Sequence, residues 1–138
     1  MKKVLYVSLV LLVSLGCGGY KAKKNPMSPE EIKIADLAQQ LESQAEELKG
    51  GASQPFQEML GEFSERAARF HNTCLRFGSN SLEARSAFDR LYYQASQVSS
   101  NLNREGNPEL FAKWDKTRNG TLLQIAEMLG YRPEKSNE

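Results

Sequence analysis

Residues 28–131 predict an all-α protein, an antiparallel up-down-up-down four-helix bundle, and three observations carry that prediction. Four stretches place apolar residues at spacings of three and four, the period of one face of an α-helix. Each opens near a capping residue or a proline and closes on glycine. The connections between them are only about two to five residues long, which forces successive helices to run in opposite directions. No strand pattern competes.

The first helix lies in MSPEEIKIADLAQQLESQAEELKGG. Ser28 is its N-cap, Pro29 its first helical residue and Glu31 the acid that completes a capping box. Ile34, Leu37, Leu41 and Leu48 form one apolar stripe, and Gly50-Gly51 supplies a left-handed stop. The second helix begins near Pro55 and ends before Gly78. Phe56, Phe63, Phe70 and Phe77 recur at every seventh position, and with Leu60, Ala67 and Cys74 between them they make an a/d seam along one side. Large rings alternate with small or medium side chains, the arrangement that lets facing layers interdigitate.

Asn80 followed by Glu83 marks the start of the third helix, in which Ala84, Phe88, Leu91, Ala95, Val98 and Leu102 keep four-three spacing before Gly106. Asn107 and Pro108 open the fourth. Its stripe is Leu110, Phe111, Trp114, Leu122, Ile125, Met128 and Leu129, and Gly130, Tyr131 and Pro133 end it. Asn119-Gly120 is a turn signal inside this helix, with Arg118 and Thr121 standing where the stripe should continue, so a kink or break there is the alternative to a continuous rod. At ~22 residues each the helices are ~33 Å long. Residues 132–138 read as a disordered polar tail.

The first seventeen residues, MKKVLYVSLVLLVSLGC, have the order of a secretory signal peptide: two lysines, a mainly apolar run from Val4 to Leu15, then a small residue. That run rises ~18 Å as a helix, too little for a hydrocarbon core of ~30 Å. With Lys2 and Lys3 removed, 16 bases face 17 acids. A balance near neutrality argues against a general nucleic-acid binder, which needs a basic stripe.

Gly16-Cys17 directly after the apolar run resembles the lipobox of bacterial lipoproteins, in which an aliphatic residue and two small residues precede the cysteine that takes the lipid. Ser14 and Leu15 depart from that pattern. The resemblance covers residues 1–17 only and implies removal of residues 1–16, diacylglycerol on the Cys17 sulfur and a further acyl chain on its amine, a stable anchor. Ser14-x-Gly16 also satisfies the small-x-small rule of ordinary signal peptidase, which would cut the same bond and leave Cys17 as a thiol. Residues 17–27 then form a flexible tether reaching at most ~35 Å. Lys21, Lys23 and Lys24 within it would lie near lipid headgroups or in solvent.

Reactive residues in the mature chain are few. His71 and Cys74, three apart, share a helix face and are the one pair with metal-ligand chemistry. Zinc wants four ligands and no other histidine or mature-chain cysteine beyond Cys17 exists; a haem would have to pair His71 with a methionine such as Met59 or Met128. A phosphotransfer histidine is followed by lysine and glycine where this chain has Cys74 and Leu75. Position a of the seam explains Cys74 as a buried apolar-like residue without chemistry, and a disulfide to Cys17 requires that Cys17 escape acylation.

The outer faces differ in charge. The first helix is acidic through Glu30, Glu31, Asp36, Glu42, Glu46 and Glu47. The later helices carry Arg66, Arg69, Arg76, Arg85, Arg90, Arg104, Lys113, Lys116 and Arg118. This either sets bundle register or docks an acidic partner. Tyr92-Tyr93 cannot both face the core, so one is a rim or contact residue. The expectation is a small exported lipoprotein, facing the periplasm from the cell membrane or outer membrane, whose bundle binds or assembles at the cell envelope. It needs no cofactor and performs no catalysis, and it contacts the lipid membrane through acylated Cys17 and, further, a protein partner or copies of itself. The alternative is a redox, haem or metal-handling bundle using His71 and Cys74.

Overall fold

A computed structural model describes residues 27–104 and 107–131. The expected signal peptide, Cys17, the tether before Met27, the helix stop at Gly106 and the tail 132–138 lie outside these residues. The described residues are helical without any strand. In chain order they form α1 (Pro29–Gly50), α2 (Gln54–Phe77), α3 (Leu82–Arg104) and α4 (Pro108–Thr117). The last continues through one π-helical turn (Arg118–Leu122) into α5 (Leu123–Met128).

The helix starts follow from local chemistry. The Ser28 hydroxyl accepts from the Glu31 amide at 3.2 Å, and Asn107 accepts from the Leu110 amide at 3.2 Å, each satisfying a donor that an α-helix leaves open at its N-terminus. The cap of α3 is Ser81, one residue later than the expected Asn80. Its hydroxyl accepts from the Ala84 amide at 3.1 Å and donates to the Gly78 carbonyl at 2.7 Å, so one side chain closes both the turn and the helix end. The expected left-handed stop at Gly50-Gly51 is also replaced. Gly50 stays in the helix and Gly51 has φ −97°, its amide donating to the Leu48 carbonyl while the Ala52 amide donates to Lys49. Gly130 does take the left-handed conformation, φ 64°, with Gly130 and Tyr131 donating to Glu127 and Ala126 in a Schellman closure.

The stripes meet around one core. Ile34, Leu37 and Leu41 of α1 are buried with the α2 seam from Phe56 to Cys74, with the six apolar α3 positions, and with Leu110, Trp114, Leu122, Ile125 and Leu129. Phe63 meets Trp114 edge-on at 5.0 Å, and Trp114 donates its indole N–H to Ser99 at 2.8 Å, so the one polar atom of the ring is satisfied inside the core. Phe111 and Met128 are only half-buried at the margin.

α1 packs on α2, α2 on α3, α3 on α4, and α1 returns against α4, the π turn and α5. Across α2 and α3, Gln94 donates to Glu62 at 3.3 Å, Arg66 donates to the Arg90 carbonyl at 3.4 Å, and the Phe70 and Phe88 rings lie 5.3 Å apart. Among the described residues the ion pairs close within single helices, Lys49 with Glu46 and Lys113 with Glu109, so the acidic and basic faces do not set register through interhelical ion pairs there.

Candidate functional site

The α2 seam buries the sequence's most reactive candidate. Cys74 is 0% exposed, deep in the layer below the α2–α3 turn, and His71 one turn earlier is half-buried at its edge. A thiol without water access reacts slowly and is a poor nucleophile. Met59 lies on the same helix twelve residues before His71, about 18 Å along the axis, too far for both to bind one iron. Among the described residues no three histidine, cysteine or acidic side chains converge as a metal-binding set.

Phe77, expected to continue the seam, is 49% exposed. It is the last residue of α2, and Gly78 (φ 90°) turns the chain away before any facing layer could cover the ring. The Arg76 guanidinium lies 6.0 Å from its centroid. The seam therefore ends one layer early, at Cys74. Of the tyrosine pair, Tyr92 stacks near Phe88 and Tyr131 at 6.0 and 5.1 Å, whereas Tyr93 points outward, its hydroxyl accepting from the Gln97 amide at 3.1 Å.

Two grooves remain. The first, about 700 Å³, runs between the C-terminal half of α1 and the start of the fourth helical segment, lined by Gln40, Gln44, Glu47, Lys113, Lys116, Thr117, Thr121 and Gln124 among others. Its floor is made by the π turn. Leu123 bonds back to the Arg118 carbonyl, five residues earlier, so one extra residue is accommodated within the turn. Thr121 is thereby turned inward and donates to Gln44 at 2.9 Å. The chain is therefore not broken at Asn119-Gly120: the backbone stays helical on both sides of the π turn. The lining is rich in amides and hydroxyls, which offer both donors and acceptors to a polar ligand.

The second groove, about 740 Å³ and more open, lies along α2 and α3 near their connecting turn. Arg66, Arg69 and Arg90 stand over it, with Glu83 as its one acid, and Phe77 and Leu82 form an apolar lip. Leu82 is 82% exposed, the most exposed large apolar side chain described. Sequence reading noticed the arginines but not the grooves. Each groove is assembled from two helices, and Gln44 and Thr121 stand 77 residues apart. No protein-family model, curated protein or solved structure matches the chain.

Proposed function

We propose that this chain is a small exported bacterial lipoprotein, anchored to the cell or outer membrane through acylated Cys17. In this reading its bundle binds a polar partner at the cell envelope without catalysis. Residues 1–16 are the signal peptide, 17–27 the acylated cysteine and tether, 28–131 the bundle and 132–138 the tail. The helices alternate up and down. In support, contacts at Glu62, Arg66 and Phe70 climb α2 while their partners Gln94, Arg90 and Phe88 descend α3.

The observation that carries the binding reading is the π turn beneath the α1–α4 groove, because such turns recur at functional sites. Buried Thr121 in that turn, buried Thr117 just before it and half-buried Gln44 of α1 line a volume of about 700 Å³, the size range of ligand pockets. Anchoring rests on the leader alone.

The test is native mass spectrometry of the protein extracted in mild detergent from its own membranes. The expected species begins at Cys17, carries acyl mass and releases a partner or polar ligand that Thr121→Val weakens. A chain beginning elsewhere or lacking acyl mass would refute the anchor. A haem or metal adduct lost in His71→Ala would replace binding with the redox reading.

A further inference from the structure

We propose that the α2–α3 end of the bundle is a second membrane contact, one that seats on an anionic phospholipid surface; this rests on the anchored, up-and-down reading above. Six large apolar side chains are exposed among the described residues, and four of them, Ile32, Leu75, Phe77 and Leu82, sit at the ends of α1, α2 and α3. Ile32 is in the first turn of α1, Leu75 and Phe77 in the last turn of α2, and Leu82 begins α3. Alternating helices bring those ends together at one pole. The chain also returns toward Cys17 from that pole, because α1 begins there, and the ten residues between Cys17 and Ser28 reach at most ~35 Å. The exposed apolar pole is thus held close to the bilayer.

Charge decides which side of the pole faces lipid. Glu30 and Glu31 occupy the first turn of α1 and repel an anionic surface. On the α2–α3 side, Arg66, Arg69 and Arg90 outnumber Glu83, and Arg76 adjoins Phe77. An aromatic ring and a leucine beside guanidinium groups match the two layers of a bilayer interface, acyl boundary and phosphate. An exposed apolar patch next to cations is what such a surface recognises. Seated this way, the α1–α4 groove, built from the C-terminal half of α1 and the start of α4, lies at the opposite pole and stays open to a partner.

The experiment uses full-chain protein recovered from its membranes and placed in vesicles of brominated phosphatidylcholine, with or without phosphatidylglycerol. Flotation and intact mass report the anchor; tryptophan quenching reports the seat. The native Trp114 is buried, so Leu82→Trp introduces a probe at the lip and Glu109→Trp a control at the other pole. Leu82→Trp should be quenched in vesicles containing phosphatidylglycerol and much less without it, while Glu109→Trp stays unquenched in both. Adding Arg69→Gln and Arg90→Gln should weaken the seat about fivefold per arginine. Arg66 is left in place because it also bonds to the Arg90 carbonyl.

Flotation with acyl mass but no quenching at residue 82 overturns the seat and leaves the anchor standing. Quenching in a chain without acyl mass supports the seat and refutes the anchor. If an oligoglutamate peptide shifts the Leu82→Trp emission while vesicles do not, the surface belongs to an acidic polypeptide and the membrane contact is wrong.

Discussion

Phe63, Phe70 and Phe77 are the same residue type at the same heptad position, and their surroundings separate them. Phe63 and Phe70 are fully buried against Trp114 and Phe88, and truncation to alanine should cost ~3–5 kcal/mol each in urea unfolding. Phe77→Ala should cost less than ~0.5 kcal/mol, because its ring already meets water. Equal losses at all three positions would mean that the last layer is closed in solution. Ser79 presents the opposite situation. Its hydroxyl is buried in the α2–α3 turn and has no hydrogen-bond partner among the described residues. Removing such a group removes a desolvation cost, so Ser79→Ala should leave stability unchanged or raise it by about 1 kcal/mol. A clear loss at Ser79→Ala would show that the hydroxyl has found a partner in solution.

At the scale of the element, the fourth helical segment carries the main departure from a regular stripe. Leu110, Trp114 and Thr117 keep four-three spacing, and Leu122, Ile125 and Leu129 keep three-four spacing, but five residues separate the two sets. The π turn absorbs the excess residue, which lets both halves face the same core. Deleting Gly120, whose Cα faces open space, should restore continuous α-helical spacing. Far-UV circular dichroism should stay strongly helical and stability should change by less than ~1 kcal/mol, while Thr121 loses its bond to Gln44 and the groove narrows. Unfolding on deletion would make the π turn a packing requirement, and the argument that it serves a groove would fail.

For the whole molecule, the apolar stripes close on one another within a single chain. Mature protein in detergent should therefore sediment with one protein molar mass across concentrations. A mass rising with concentration would mean that an exposed surface, the Arg-lined α2–α3 face being the first to examine, also joins copies. The two poles then divide the work proposed here, lipid at the α2–α3 turn and a polar partner at the α1–α4 groove.

Helix existence, the core positions from Ile34 to Cys74 and the six α3 positions were legible in sequence because spacing and capping act over one to two turns of chain. The errors were equally local in kind. Asn80 and Ser81 are both competent caps, and only the bond from Ser81 to Gly78 chooses between them. Glycine permits a left-handed residue at Gly51 without requiring it. By itself the sequence determined four amphipathic helices, since each depends on residues close together along the chain. The tertiary structure alone decided that the seam stops before Phe77, that an awkward stripe becomes a π turn, and that arginines on two helices share one groove. Those outcomes depend on which faces meet, and faces meet through residues far apart in sequence whose packing no local period encodes.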